Sequence, residues 1–207
     1  MVITFEGIDG SGKSTQVDLL AEWLRMKGKK VATFREPGGT IITEKIRTIL
    51  LTKGAEELSD KTELLLFLAA RNHLITTKLI PLLETDTIVV LDRFSDSTLA
   101  YQGYGRGIDL DVIQQLLKFS VNQLVPSVTF YIDMCFTDAV NRLVSSTKKL
   151  DRFESLGEDF FDKVRNGYIE LQKNDPNRIL SISGNKTIEE IHSFVTKELE
   201  RKFSSLI

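Results

Sequence analysis

Residues 7–14 carry the residue types that phosphate chemistry requires. They read Gly-Ile-Asp-Gly-Ser-Gly-Lys-Ser, which is a G-x-x-x-x-G-K-S motif. The glycines allow successive backbone N–H groups to turn toward one anion, and the N-terminus of a following helix adds partial positive charge. Lys13 can reach the terminal phosphates, and the Ser14 hydroxyl can ligate Mg²⁺. The motif therefore predicts a site for a nucleoside triphosphate.

A second stretch of candidate catalytic residues begins at Asp92, directly after the apolar residues 88–91. An acid at the tip of a buried strand is typical of the carboxylate that faces Mg²⁺ in nucleotide sites. Arg93 follows at once and can neutralise phosphates during their transfer. The glycine-rich residues 103–107 come shortly afterwards. This stretch predicts a phosphoryl-transfer centre beside the first motif.

Two further stretches carry weaker signals. Residues 35–40 contain a Pro-Gly-Gly turn, and Arg47 in the next helix can donate a forked pair of hydrogen bonds to a phosphate. Taken alone, this segment is more simply a turn and a solvated charge. Phe67 and Arg71 share a helix face, where they can stack and read a base. Taken alone, they are more simply a core ring and a surface charge.

Apolar segments indicate the elements that must position these residues. Short β-branched segments alternate with longer amphipathic ones, which predicts an α/β fold: a five-stranded, mostly parallel sheet with helices on both faces. Ligands then collect at the carboxyl ends of the strands. The predicted strands are 2–5, 31–34, 88–91, 128–132 and 179–182; the predicted helices are 13–27, 41–52, 58–84, 109–124, 135–147, 154–174 and 187–203.

Composition argues against several classes of protein. Among 207 residues, 27 Lys and Arg face 29 Asp and Glu, a net charge of −2, which disfavours a nucleic-acid or membrane-surface binder. The single cysteine, Cys135, excludes an internal disulfide and favours an intracellular compartment. No apolar run approaches the roughly 18 residues of a membrane helix, and the N-terminus lacks a signal-peptide pattern. We expect one cytoplasmic domain over residues 1–207.

Taken together, the motifs resemble those of bacterial-type thymidylate kinases, a family of P-loop nucleoside monophosphate kinases. The motifs are FEGIDGSGKST, REPGGT with a following E-x-x-R, LLLFLAAR and DRFSDSTLAYQGYGRG, with a weaker lid signature at 150–154. The long DR…AYQ block distinguishes this family from adenylate, guanylate and deoxynucleoside kinases. The resemblance implies a P-loop NTPase fold with a short lid. It also implies in-line transfer from ATP, with Mg²⁺, to dTMP, which forms dTDP for dTTP synthesis, in a homodimer.

The resemblance implies roles for single residues as well. Lys13, Arg93, Asp9 and Asp92 would be catalytic, and Ser14 and Asp92 would hold Mg²⁺. ATP would be bound by Gly7, Asp9, Gly10, Ser11, Gly12, Lys13, Ser14, Thr15 and Arg142. The nucleotide acceptor dTMP would be bound by Asp9, Glu36, Pro37, Arg47, Phe67, Arg71, Arg93, Ser97, Tyr101 and Gln102.

Some of these roles are specific to one part of the nucleotide. Asp9 would meet the 3′-hydroxyl of the sugar, and Tyr101 would lie against the deoxyribose. The P-loop carries Gly10-Ser11 where other members have an arginine. A lid at about 143–154 would therefore supply the cations, through Lys148, Lys149 or Arg152.

Two alternatives stay open from the residues alone. The first is a kinase for another nucleoside or nucleotide, against which the Phe67/Arg71 pair and the DR…AYQ block count. The second is a nucleotide-dependent switch or a silent relative that binds without turnover. Guanine recognition of the GTPase kind would need N-K-x-D, and residues 185–188 lack the aspartate.

Overall fold

The computed structural model describes residues 1–54, 57–121, 124–145, 152–153 and 156–204. Parallel strands form a five-stranded sheet in the order β2-β3-β1-β4-β5. They are β1 Val2–Glu6, β2 Val31–Arg35, β3 Ile88–Asp92, β4 Val128–Asp133 and β5 Ile179–Ser183. The predicted α/β fold is confirmed.

Helices connect the strands and cover the sheet. They are α1 Lys13–Met26, α2 Ile41–Leu51, α3 Asp60–Leu74, α4 Ile80–Leu83, α5 Ser95–Thr98, α6 Leu110–Ser120, α7 Phe136–Ser145, α8 Glu158–Asn174 and α9 Ile188–Phe203. Within the described ranges, no helix combines the length and the apolar character that a membrane crossing needs.

Alternation along β1 divides the core into two layers. Ile3 and Phe5 pack on one face with α1 residues such as Leu20. Val2 packs on the opposite face with α3 residues such as Leu68. Successive side chains of a strand point to opposite faces, so a central strand is apolar on both. Each fully buried side chain of this kind contributes about 2 kcal/mol, and together they fix the strand that leads into the P-loop.

Two helical stretches differ from the prediction. The predicted helix 58–84 is divided by a π-helical segment, Ile75–Leu79, between α3 and α4. Residues 95–105, which lie outside every predicted helix, form α5 and a second π-helical segment, Leu99–Gly105. Glycines obscured this helix in the sequence. They permit close packing, since a Cβ on Gly103 would lie 2.5 Å from a methyl carbon of Leu110.

A buried ion pair connects α5 to the start of β5, the edge strand of the sheet. Arg178, just before β5, donates two hydrogen bonds to Asp96, at 2.7 and 3.0 Å. Thr129 on β4 donates a further bond to the same carboxylate at 3.1 Å. Asp96 is only 2% exposed, and a carboxylate in such a place depends on its donors because water does not reach it.

Replacing Arg178 by alanine should therefore destabilise the fold. It leaves the Asp96 carboxylate buried without its main cation, which typically costs about 3 kcal/mol. Chemical denaturation of the wild type and Arg178→Ala measures this change. Arg201→Ala is the matched control, because its ion pair with Glu198 lies on the exposed surface of α9 and should change stability little. Equal effects in the two variants would contradict this account of Asp96.

Candidate active site

Polar residues end the five strands at one edge of the sheet. They are Glu6, Arg35, Asp92, Asp133 and Ser183. The ends of β1 and β3 are neighbours, because Phe5 pairs in register with Asp92. The P-loop continues directly from β1. This edge, where parallel α/β sheets bind their ligands, is the candidate active site.

The P-loop depends on close backbone approach. Gly7 and Gly10 have φ values of +139° and +85°. A Cβ on these glycines would lie 2.5 Å from the carbonyl oxygen of Ile132 and 2.6 Å from that of Ala139. Only glycine fits such positions without strain. Ser11 is fully buried, so its side chain supports the loop from the protein interior and is not exposed to a ligand.

The first cavity at this edge, called the outer cleft, follows the P-loop. It is lined by Asp9, Gly10, Gly12, Lys13, Ser14, Thr15, Asp92, Arg142 and Leu143. All the residues predicted to bind ATP, apart from Gly7 and Ser11, thus surround one cavity. Lys13 is buried, and its Nζ donates to the Ile8 carbonyl oxygen at 2.9 Å. Burial lowers the pKa of Lys13, an effect that Asp92 and Asp9 oppose.

Two oxygen ligands that suit Mg²⁺ lie side by side in the outer cleft. The Ser14 hydroxyl donates to Asp92 Oδ2 at 2.5 Å. Mg²⁺ prefers such hard oxygen ligands and usually takes one or two from the protein and others from phosphates and water. Among the described residues, no group of three or more His, Cys, Asp or Glu could hold a metal alone. The donor set therefore fits a magnesium ion that arrives with a nucleotide.

The second cavity, called the inner pocket, has a volume of about 530 Å³ when the solvent space at its open mouth is included. Its lining includes every residue predicted to bind dTMP: Asp9, Glu36, Pro37, Arg47, Phe67, Arg71, Arg93, Ser97, Tyr101 and Gln102. Leu51, Thr98 and Phe153 complete the wall. Asp9 lines both cavities. Residues from five separate stretches of sequence are thus brought to one pocket beside the P-loop.

Arg93 lines the inner pocket beside Asp9, the residue that both cavities share. Its backbone has φ +73°, a strained conformation for a residue with a side chain. The guanidinium donates to Asp9 at 3.0 Å, to the Tyr101 hydroxyl at 3.1 Å and to Ser97 Oγ at 3.2 Å. Burial by itself lowers the pKa of Arg93, but the nearby charge of Asp9 helps to raise it well above its ordinary value. Arg93 therefore keeps its charge.

Arg71 is held rigidly in the wall of the inner pocket. Its Nε donates to Glu36 at 2.6 Å, and its two Nη atoms donate to Thr98 Oγ1 at 2.7 Å and to the Phe94 carbonyl at 2.9 Å. Burial raises the pKa of Glu36, and the charge of Arg71 opposes this shift. Both side chains are almost completely buried. Arg71 is therefore a fixed donor group beside the half-buried ring of Phe67.

Sequence reasoning missed Glu6. This fully buried acid accepts hydrogen bonds from the Phe94 N–H at 2.7 Å, Ser97 Oγ at 2.5 Å and the Tyr168 hydroxyl at 2.7 Å. It thereby anchors the chain that follows Arg93. Ser97, expected to bind dTMP, places its hydroxyl between Glu6 and Arg93. An acid that ends an otherwise apolar buried strand was the available signal.

Of the three cations predicted in the lid, only Arg152 lies within the described residues. Lys148 and Lys149 lie outside the described residues. Arg152 donates Nη2 to Glu63 and Nε to the Leu50 carbonyl, both at 2.7 Å. These contacts place Arg152 beside the inner pocket and not among the P-loop residues. Arg142 donates to the Gly184 carbonyl at 2.8 Å, at the rim of the outer cleft.

Comparisons with known proteins agree on one family. The family model for thymidylate kinase matches residues 5–195. Thymidylate kinase of Chlorobium luteolum is 44% identical over 211 residues, covering 98% of both chains. That of Thermosipho africanus is 47% identical over 204 residues, covering 97% of this chain and 100% of the relative. A crystal structure of thymidylate kinase from Ehrlichia chaffeensis matches with a TM-score of 0.79 and 38% identity, over 97% and 98% of the chains.

The stability conferred by Glu6 should depend on pH. Burial, with the neighbouring charge of Asp96, raises the pKa of Glu6 from 4.5 to about 7. The folded protein then binds this proton more tightly than the unfolded chain does, so stability falls as pH rises through this range. Glu6→Gln removes the effect. Urea unfolding of both proteins at about pH 5 and about pH 7.5 measures their free energies of unfolding. The free energy of unfolding of Glu6→Gln, relative to that of the wild type, should be larger at the higher pH. A constant difference would contradict the prediction.

Proposed function

The chain belongs to the thymidylate kinase family, and from this premise we propose that the inner pocket binds dTMP while the outer cleft binds ATP with Mg²⁺. The enzyme phosphorylates dTMP to dTDP with ATP. The observation that supports this division most strongly is that Asp9 lines both cavities and accepts a hydrogen bond from Arg93 of the inner pocket. A phosphate held at Arg93 lies next to the P-loop, as direct transfer between two bound nucleotides requires.

The protein contributes positioning and charge to this reaction. The acceptor phosphate of dTMP is already ionised and nucleophilic, so the transfer needs no strong general base. Lys13 and the P-loop N–H groups hold the donor phosphates, and Arg93 holds the acceptor phosphate in line. Mg²⁺ held by Ser14 and Asp92 would supply charge neutralisation on the ATP phosphates. Because Arg93 is already oriented by Asp9 and Tyr101, little reorganisation is needed as charge develops.

The inner pocket offers a group for each part of dTMP. Phe67 stacks on thymine, and Arg71 donates to the edge of the base. The guanidinium of Arg71 has five N–H donors, and its bonds to Glu36, Thr98 and Phe94 occupy three of them. Tyr101 lies against the deoxyribose, and Asp9 accepts from the 3′-hydroxyl. Arg47, which donates to the Pro37 carbonyl at 2.9 Å, joins Arg93 at the phosphate. Glu36 and Pro37 complete the pocket wall.

Several further proposals concern the whole chain. We place residues 1–207 in a single kinase domain whose lid spans about 143–154, and, since its substrates are intracellular nucleotides, in the cytoplasm. We also propose a homodimer. The packed helices α2, α3 and α6 carry the exposed apolar side chains Ile49, Leu65 and Phe119. A second copy would cover them. Sedimentation equilibrium of the wild type and Phe119→Glu tests this, and a monomeric wild type would contradict it.

The proposed substrates are tested by ADP release from ATP and Mg²⁺ across a panel of acceptors. The panel contains dTMP, dUMP, dCMP, AMP, GMP and thymidine. We expect strong turnover with dTMP and weaker turnover with dUMP, which lacks the methyl group of thymine. Turnover with AMP or thymidine in preference to dTMP would show that the inner pocket was assigned to the wrong acceptor. Binding of ATP without any turnover would indicate a non-enzymatic protein.

Replacing Arg93 by alanine should remove most of the turnover. The loss of one preorganised charge at the transferred group typically lowers kcat by about 10²–10³-fold. Steady-state kinetics with dTMP measures this, while ATP affinity should change little because Arg93 lies outside the outer cleft. Arg93→Lys is the matched variant, because it keeps the charge but loses the fork of donors. Its kcat should lie between those of the wild type and Arg93→Ala. Near-normal kcat in Arg93→Ala would contradict the role.

A further inference from the structure

Glu63 occupies a buried position next to the inner pocket that the proposed mechanism does not use. It lies one helical turn before Phe67 and two before Arg71, so the three side chains form one stripe along α3. Phe67 and Arg71 line the inner pocket. Glu63 is fully buried. A carboxylate in such a place is retained only where donors surround it.

Three donor side chains from two separate parts of the chain meet on this carboxylate. Gln102 donates its Nε2 to Glu63 Oε1 at 2.8 Å. Arg106 donates to both oxygens, at 3.3 and 2.9 Å. Arg152 donates to Oε2 at 2.7 Å. Glu63 thus joins α3, the segment after β3 and the end of the lid.

The charge of Glu63 determines which end of the Gln102 amide faces the inner pocket. A carboxylate can only accept hydrogen bonds, so the NH₂ group of Gln102 must face Glu63. The amide oxygen is then the group that Gln102 offers to a ligand. An acceptor here, beside the Arg71 donors, complements thymine, which presents N3–H next to the O4 acceptor. Cytosine presents the opposite pattern, an N3 acceptor next to an N4 amino group.

Glu63 also fixes the wall that Phe153 provides. Besides its bond to Glu63, Arg152 donates its Nε and its backbone N–H to the carbonyls of Leu50 and Leu51, the last residues of α2. Helix C-terminal carbonyls favour such cations. The docked segment places Phe153, which is 4% exposed, against the rings of Phe67 and Tyr101. Without Glu63, the guanidinium groups of Arg106 and Arg152 would face each other, and Arg152 would lose its hydrogen bond to this carboxylate.

We propose that Glu63 is a positioning residue for the acceptor base, which presents the Gln102 amide oxygen to thymine and docks the 152–153 segment as a wall of the inner pocket. This inference rests on the proposed binding of dTMP in that pocket. Its consequence is selection of thymine over cytosine. A residue of purely structural value would affect both acceptors equally.

The test is steady-state kinetics of Glu63→Gln with dTMP and dCMP as acceptors. A glutamine at 63 can donate as well as accept, so Gln102 can rotate and offer its NH₂ group to cytosine. We expect kcat/KM for dTMP to fall about tenfold and the dTMP-to-dCMP ratio to fall about tenfold, with KM for ATP unchanged. Asp60→Asn is the matched control. Asp60 pairs with the same Arg106 at 3.3 Å but is half-exposed, and both values should stay at the wild-type level.

A folded Glu63→Gln with an unchanged dTMP-to-dCMP ratio would overturn the proposal, as would an equal change in Asp60→Asn. Should Glu63→Gln fail to fold, Arg152→Met decides the outcome. It keeps the apolar stem over Phe153, and we expect KM for dTMP to rise with KM for ATP unchanged; an unchanged KM for dTMP overturns the proposal. Wild-type turnover of dTMP is measured first, because its absence would contradict the proposed function and not the role of Glu63.

Discussion

Buried carboxylates paired with arginine side chains are the constraint on which this active site depends. Glu36 holds Arg71, Glu63 holds Arg106 and Arg152, and Glu6 anchors the chain beside Arg93. A carboxylate that loses its water is costly unless donors replace it in good geometry. Each acid therefore forces its partners into one arrangement. The groups that must face a nucleotide are ordered before the nucleotide arrives, and this order is the basis of the proposed mechanism.

The parallel sheet makes these pairings possible. Consecutive apolar residues along β1 and β3 bury these strands on both faces. Their carboxyl ends bring Glu6, the P-loop and Asp92 together at one edge. Helix α3 crosses beside this edge and presents Glu63, Phe67 and Arg71 on one stripe. The inner pocket therefore joins a sheet edge and a helix face, which are connected by buried ion pairs as well as by the apolar packing of α3 on the sheet. This arrangement explains how residues from distant stretches come to line a single pocket.

The architecture and most of the site lining could be predicted from the sequence, because they depend on local patterns. Short apolar, β-branched segments identify the strands, and the G-x-x-x-x-G-K-S and DR…AYQ stretches are contiguous. The helical character of residues 95–105 could not be predicted, since glycines interrupt its period. Glu6 and Glu63 could not be assigned, because their meaning comes from partners far along the chain, 162 residues away between Glu6 and Tyr168 and 89 between Glu63 and Arg152. The position of Arg152 follows from the same long-range pairing.

A crystal structure of the enzyme with dTMP, a non-hydrolysable ATP analogue and Mg²⁺ tests the central claim most directly. The claim is that Arg71 and Arg93 are ordered before the ligand arrives and hold the acceptor in the inner pocket, with its phosphate directed toward the P-loop. We predict thymine between Phe67 and Arg71, its phosphate on Arg93, and no change in the hydrogen bonds of Arg71 to Glu36 or of Arg93 to Asp9 beyond small adjustments. Thymine bound away from Arg71, or these arginines reoriented by the ligand, would contradict the account.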